Sequence, residues 1–217
     1  MVEWCAQVID FCKFSRETIG IGMSFLDRYV ATGVRRARLA LADRKEYQLS
    51  AMTCLYMAIK LNEPLEMETK LLADLSRGCY TEAEIAAMER EVLQALKWRV
   101  AGPTPLGFVQ HFLAVGLDGT ADASACPAIE ATLLDFSRFQ TELAIGLPSL
   151  VPVAPSNIAL GAVLNSIEAL NADTLDPFER AAFVESVVAV SGLDPVRYPM
   201  APGWLPDRSA DRVGITG

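Results

Sequence analysis

The sequence predicts an all-α protein built from two helical bundles that follow each other along the chain. Apolar residues recur at three- and four-residue spacing through most of the sequence, which is typical of helices with one buried face. Recognisable start and stop signals divide this pattern into short helices, and no alternating pattern typical of strands stands out. With 217 residues, of which 52% are hydrophobic, the chain has ample apolar surface to form a core.

The division between the bundles is predicted at the run Gly-Pro-Thr-Pro over residues 102–105, because glycine and proline interrupt regular structure. This places a five-helix bundle in residues 1–101 and a four-helix bundle in 102–193. The second bundle looks like a degenerate repeat of the first that lacks its last helix. Four prolines interrupt residues 194–217, which are predicted to form an extended or disordered tail.

In the first bundle, helices are predicted over 1–14, 16–31, 45–61, 67–75 and 81–98, with a loop over 32–44. The third helix is apolar nearly all round, as expected of the central helix of a bundle. The fifth has the clearest start, because Thr81 and Glu84 form the pattern of a capping box.

In the second bundle, helices are predicted from Thr104-Pro105, over 126–145, over 155–171 and from Asp176 to Gly192. A small-residue linker over 116–125 separates the first two. The last helix has an acidic cap, proline at its first position and glutamate at its third, all typical of a helix start.

Charge and hydropathy argue against nucleic acids and membranes as partners. The net charge is −8, whereas binding to phosphates requires excess lysine and arginine. No apolar run is long enough to cross a bilayer. One basic cluster runs against the overall charge, and it fits either a solvated loop or a contact with an anion or partner. The cluster comprises Arg35, Arg36, Arg38, Arg44 and Lys45.

Catalytic and metal-binding patterns are not apparent. The five cysteines include no C-x-x-C pair, so we predict reduced thiols in an intracellular protein without a zinc site. The single histidine, His111, argues against Ser-His or Cys-His catalysis. We therefore predict a helical binding module with no catalytic residues, metal or cofactor.

Two charged residues lie at the edges of apolar helix stripes. Lys60 follows Ile59, and Glu89 lies beside Met88 and Val92. A charge in such a place requires a partner or access to water. The two fit an internal ion pair, side chains that reach solvent, or a pair presented to another protein.

Three motifs occur in order: A-I-K-L-N-E-P-L at 58–65, Y-T-x-x-E-I-x-x-M-E-x-x-V-L-x-A-L-K-W at 80–98 and P-T-P-x-x-F-V-x-H-F-L at 103–113. Together they resemble the cyclin box, most closely that of D-type cyclins, over about residues 1–115. The resemblance implies two tandem cyclin folds. It also implies a regulatory subunit without catalysis of its own, which binds and activates a cyclin-dependent protein kinase in the nucleus and cytoplasm.

The resemblance also implies which residues contact the kinase. Lys60 and Glu89 are expected to pair and to hold the backbone beside the kinase αC helix. Apolar contacts are expected from Met57, Leu61 and Leu65, with Glu63 at a polar rim.

A docking patch for substrates or inhibitors of the kinase is implied by Trp4, Gln7 and Gln48, although Trp4 also fits a simple core position. Gln7 replaces an acidic residue usual in cell-cycle cyclins. Two alternatives stay open: a transcription-type cyclin, and a cyclin-fold scaffold that does not activate a kinase.

Overall fold

The structure, a computed structural model, describes residues 1–118, 126–170 and 174–193. These residues form α-helices and one 3-10 helix, Pro148–Leu150, with no strand among them, which confirms the predicted all-α class. The helices are α1 (Val2–Cys12), α2 (Glu17–Ala31), α3 (Arg35–Ala42), α4 (Arg44–Asn62), α5 (Thr69–Leu75), α6 (Glu82–Ala95), α7 (Pro105–Leu117), α8 (Cys126–Ala144), α9 (Pro155–Ala169) and α10 (Pro177–Ser191).

The chain divides into two compact units. The first contains residues 1–104 together with 142–153, and the second contains the described residues of 105–141 and of 154–193. The return of 142–153 to the first unit had no signal in the sequence, and the predicted bounds of 1–101 and 102–193 stay a prediction. The predicted tail over 194–217, and most of the linker over 116–125, lie outside the described residues.

The first unit is built around α4, as its apolar sequence predicts. Every residue from Leu49 to Ile59 is buried, so neighbouring helices surround this part of α4. Helix α2 approaches closely at Gly22, where an added Cβ would lie 3.0 Å from Cα of Leu55. A glycine is therefore required at this crossing for its small size.

Helix α6 covers another side of the same core and begins where predicted. The Thr81 hydroxyl accepts from the Glu84 backbone N–H at 3.3 Å, and the Glu84 carboxylate accepts from the Thr81 backbone N–H at 2.8 Å. These reciprocal hydrogen bonds confirm the capping box. They fix the start of the helix that carries Glu89.

The predicted loop over 32–44 is wrong, because most of it forms α3. The buried side of this helix consists of Ala37 and Ala40, which are 0% and 2% exposed. Alanine favours helices but is only weakly hydrophobic, so the helical spacing of the buried residues was not visible in the sequence. An ion pair between Arg36 Nε and Glu46 Oε2, 3.0 Å apart, ties α3 to the start of α4.

The second unit has α9 as its central helix, with Ala159 to Val163 buried. Phe183 of α10 is fully buried, and its ring lies where a Cβ on Gly116 of α7 would be. Helix α10 begins with the predicted cap: the Asp176 side chain accepts from the backbone N–H of Glu179 at 2.8 Å.

Within the described ranges, no helix is long and apolar enough to span a membrane. The same residues include no group of three or more His, Cys, Asp or Glu arranged to hold a metal ion. Cys5, Cys12, Cys54 and Cys79 are free thiols. Burial raises the pKa of Cys5 to about 11, so this thiol stays protonated and behaves as a small apolar side chain.

Candidate protein-binding site

The structure brings Lys60 and Glu89 together. Lys60 lies in the last turn of α4 and Glu89 lies on α6, 29 residues later in the chain, yet Nζ and Oε1 are 2.7 Å apart. The Lys60 side chain is 42% exposed and that of Glu89 is 21% exposed. The ion pair therefore lies at the rim of the first unit, where solvent or another protein can reach it.

The neighbours of Lys60 fix its orientation. The hydrogen bond to Glu89 is the main cause that raises the pKa of Lys60, partly opposed by desolvation. The ammonium also lies 5.1 Å from the centre of the Tyr56 ring, within range of a cation–π interaction. The Tyr56 hydroxyl in turn hydrogen-bonds the Thr69 hydroxyl at 2.8 Å, which links the end of α4 to the start of α5.

Exposed leucines occur in the chain segment that carries Lys60. Leu61 and Leu65, both predicted as contacts, are 54% and 67% exposed. Leu71 of α5 is 38% exposed and was not predicted as a contact. The sequence does not distinguish it from its neighbour Leu72, which is fully buried. Large apolar side chains displayed beside a polar pair are a feature of protein-binding surfaces.

Two predicted contacts, Met57 and Glu63, have roles within the fold. Met57 is 2% exposed and packs in the core, so it cannot present its side chain to a partner on this surface. The Glu63 carboxylate already accepts hydrogen bonds from the Ser15 backbone N–H at 3.0 Å and from the Thr18 hydroxyl. Its Oε1 therefore holds the turn between α1 and α2, and the predicted role of Glu63 at a polar rim stays a prediction.

A second surface feature of the first unit is a groove lined by Trp4, Gln7 and Gln48, the three residues predicted as a docking patch. The groove has a volume of about 550 Å³ and is also lined by Phe11 and by residues 74–77 and 79, at and after the end of α5. Trp4 is half-buried and packs against the core, in agreement with its alternative interpretation. Phe11 is 75% exposed and was not predicted, although it is an aromatic residue outside the buried face of α1.

Comparisons with known proteins agree with these observations. Residues 1–101 match the family model described as cyclin, N-terminal domain. Cyclin-A1-4 of Oryza sativa subsp. japonica is 27% identical over 75% of this chain and 42% of its own length. G1/S-specific cyclin-D1 of Xenopus laevis is 27% identical over 81% of this chain and 56% of its own length. D-type cyclins are thus among the relatives, and the predicted closest resemblance to them stays a prediction.

A comparison with solved structures supports the all-α fold. A chain in the structure of the CAK complex from Chaetomium thermophilum bound to ATP-gamma-S superposes with a TM-score of 0.56 and 17% identity. The match covers 91% of this chain and 61% of the other. This chain spans less than two thirds of each of these three proteins. Residues 1–101 thus match the cyclin N-terminal domain.

Proposed function

We propose that this chain is a regulatory subunit that binds and activates a cyclin-dependent protein kinase in cell-cycle control, with the nucleus and cytoplasm as its compartments. The observation that supports this most is the Lys60–Glu89 ion pair, 2.7 Å long and half-exposed at the rim of a cyclin N-terminal domain. Exposed Leu61 and Leu65 follow Lys60 in the chain. Together they offer the directional polar contact and the apolar area that a stable protein interface requires.

Activation follows from selective binding to one state of the kinase. A kinase is active when the glutamate of its αC helix pairs with the lysine that positions ATP, which requires the helix to turn inward. A subunit that binds only this inward state shifts the population towards it. A shift from mostly inactive to mostly active requires about 5.5 kcal/mol of differential affinity.

The leucines and the ion pair contribute to this free energy in different ways. Burying a leucine fully stabilises by about 1.5–3 kcal/mol, so two half-exposed leucines supply about 2–4 kcal/mol. Lys60 and Glu89 can each offer remaining hydrogen-bonding positions to the backbone of the partner. Hydrogen bonds that involve charged groups contribute about 1.5–3 kcal/mol each and also fix the register of the two proteins.

The test is a binding and activity assay with several purified cyclin-dependent kinases. We expect Lys60→Ala combined with Glu89→Ala to abolish co-purification and stimulation of the kinase. The matched control is Arg36→Ala with Glu46→Ala, which removes another half-exposed ion pair that involves α4 and should leave stimulation unchanged. Normal stimulation by the folded Lys60/Glu89 variant would rule this site out, whereas binding without stimulation by the wild type would favour the scaffold alternative.

The groove of Trp4, Gln7 and Gln48 is our proposed docking surface for substrates or inhibitors of the kinase. Exposed Phe11 at its edge can be replaced by serine at little cost to the fold, because it is 75% exposed. Phe11→Ser should raise the KM of a complex for protein substrates that dock through an apolar motif. The KM for a short peptide that carries only the phosphorylated site should not change, and an equal rise for both would contradict the docking role.

A further inference from the structure

Two buried tyrosines of the first unit have the same kinds of contact at different places. The Tyr56 hydroxyl shares a hydrogen bond with the Thr69 hydroxyl at 2.8 Å, and Nζ of Lys60 lies 5.1 Å from the centre of its ring. The Tyr80 hydroxyl donates to the Lys45 carbonyl at 2.8 Å, and Nζ of Lys45 lies 5.8 Å from the centre of that ring. Because the chemistry is alike, the two positions can be compared directly.

Tyr56 lies directly beneath the rim of the first unit. It precedes Lys60 by four residues on α4, so the two side chains share one face of the helix. Tyr56 is 6% exposed, whereas the side chain of Lys60 is half-exposed. The ring is therefore a buried support for a charge that a partner can reach. Tyr80 lies by the first turn of α4, and Lys45 is 15 positions before Lys60, which is about 22 Å along a helix.

The threonine that holds Tyr56 is the first residue of a weakly anchored helix. Helix α5 is seven residues long, its cap residue Glu68 makes no side-chain hydrogen bond, and its buried residue is Leu72. A helix of this length is not stable without contacts to its surroundings. The hydrogen bond between Thr69 and Tyr56 therefore helps to decide where α5 begins relative to the end of α4.

The connection between α4 and α5 is held at both of its ends. At one end the Glu63 carboxylate accepts a hydrogen bond from a backbone N–H in the turn between α1 and α2, at 3.0 Å. At the other end Thr69 bonds Tyr56. Met67, between them, is 5% exposed, whereas Leu65 is 67% exposed. The exposed leucine of the proposed site thus belongs to a connection that polar contacts and a buried side chain keep in place.

We propose that Tyr56 and Thr69 are positioning residues, whose hydrogen bond fixes the ring beside Lys60 and so holds the ammonium group ready for its protein partner. The face of an aromatic ring attracts a cation, and Nζ of Lys60 lies 2.7 Å from Oε1 of Glu89. A lysine held between a ring and a carboxylate has less side-chain freedom to lose on binding, which favours affinity. This inference rests on the proposed function and deepens it, because both residues act on the partner through Lys60.

The pKa of Lys60 reports the position of its ammonium group in the free protein. The hydrogen bond to Glu89 is the main cause that raises this pKa, and the charges of Tyr56 and Glu66 add to it. If the ring were released from Thr69, the ammonium would leave Glu89 for part of the time. The pKa would then fall towards that of an ordinary lysine.

The first experiment measures the pKa of Lys60 in the free chain from the ¹³C chemical shift of its ε carbon. The chain contains five lysines, so each signal can be assigned by a substitution with arginine. We expect Thr69→Val, which leaves the Tyr56 ring in place, to lower the pKa of Lys60. Thr69→Ser keeps the hydroxyl and should keep the wild-type value. An unchanged pKa in Thr69→Val would overturn the proposal.

The second experiment measures affinity for a cyclin-dependent kinase that the wild type binds. Tyr56→Phe and Thr69→Val should each weaken binding by about three- to tenfold, the usual contribution of one hydrogen bond. The double variant should bind no more weakly than either single variant, because both remove the same bond. Thr69→Ser should bind like the wild type.

Tyr80→Phe is the matched control, since it removes a tyrosine hydrogen bond of the same length beside the other end of α4. Its melting temperature should fall as much as that of Tyr56→Phe, but its affinity for the kinase should change by less than about twofold. An equal loss of affinity in the two tyrosine variants would overturn the proposal, because the loss would then follow stability. Additive losses in Tyr56→Phe with Thr69→Val would also overturn it.

The two experiments separate this inference from the proposed function. If no kinase binds the wild type, the proposed function is wrong, and the pKa of Lys60 in Thr69→Val still decides whether the hydrogen bond positions the ammonium. If a kinase binds and depends on Lys60 but not on Thr69, the proposed function stands and the positioning role is wrong.

Discussion

The central helices of the two units, α4 and α9, differ in where they place polar side chains. In α4 the polar contact of the proposed binding site lies at the end, where Lys60 follows a stretch buried on all sides. In α9 they lie inside. Ser166 is 0% exposed, accepts hydrogen bonds from Ser137 at 3.0 Å and Gln140 at 3.1 Å, and donates to the Ala162 carbonyl at 2.7 Å.

This difference indicates different roles. A buried polar group must be fully hydrogen-bonded, and once it is, it specifies how its helices pair. The Ser166 network therefore fixes α8 against α9 and is closed to any partner. A half-exposed ion pair such as Lys60–Glu89 adds little to stability but keeps its charges accessible. Of these two polar arrangements, the accessible one lies in the first unit, where we propose that the partner binds.

The glycines at two helix crossings, Gly116 in the second unit and Gly22 in the first, should respond differently to substitution by alanine. Gly116→Ala would place a Cβ 2.3 Å from Cε2 of the Phe183 ring, a clash with a side chain. We expect unfolding free energy to fall by about 2 kcal/mol in chemical denaturation, within the range known for overpacking. Phe183→Leu removes the clashing ring atoms, so a double-mutant cycle should show a favourable coupling of about 1 kcal/mol.

The corresponding glycine of the first unit should behave differently. Gly22→Ala would place its Cβ 3.0 Å from Cα of Leu55, which belongs to the backbone of α4. Its destabilisation should therefore show no coupling with Leu55→Ala, because truncating that side chain leaves the clashing atom in place. A coupling as large as that between residues 116 and 183 would contradict the close backbone approach of α2 and α4.

The buried network gives the next largest effect. Ser166→Ala leaves the buried Ser137 hydroxyl and Gln140 amide without their acceptor, which should lower the unfolding free energy by about 1–3 kcal/mol. Stimulation of the kinase per folded molecule should not change. The control is Ser186→Ala, a serine whose hydroxyl donates to the carbonyl of Ala182 on its own helix. An equal loss in both variants would show that the network adds nothing.

Much of the fold could be predicted because its signals are local. The caps at Thr81 and Asp176 depend on residues three positions apart, and the apolar stretch of α4 is continuous. Helix α3 was missed because its buried side is two alanines. The positions of Lys60 and Glu89 beside apolar stripes allowed an ion pair among other interpretations. The resemblance to the cyclin box then implied that the two residues pair.

The burial of Met57 and the hydrogen bonds of Glu63 could not be predicted, for a common physical reason. A helix buried on every side has no exposed face, so the sequence could not show that Met57 is core while Leu61 is exposed. Glu63 is held by Ser15 and Thr18, 48 and 45 residues away, and no local pattern reports such a contact. Contacts distant in sequence decide which of several adjacent polar residues stays free to bind.

The smallest expected effect on stability belongs to the residues with the largest expected effect on function. Lys60→Ala with Glu89→Ala should lower the unfolding free energy by less than about 1 kcal/mol, because both side chains are partly exposed. The raised pKa of Lys60 sets the pH dependence. A lysine whose pKa is raised by folding stabilises the folded state fully at pH values below the pKa of unfolded lysine, about 10.4. This stabilisation is lost as the pH rises through the pKa of the lysine in the folded state.

The difference in stability between wild type and this variant should therefore be constant from about pH 7 to 9 and shrink above about pH 10. Denaturation curves at each pH measure this difference. The control is the variant Arg36→Ala with Glu46→Ala, whose effect should not change over this pH range because the arginine of the wild type stays charged throughout. A loss of several kcal/mol at neutral pH would mean that the pair is structural, like the Ser166 network. Because a half-exposed pair contributes so little to folding, a complete loss of kinase binding in a stable variant would have to come from the interface itself.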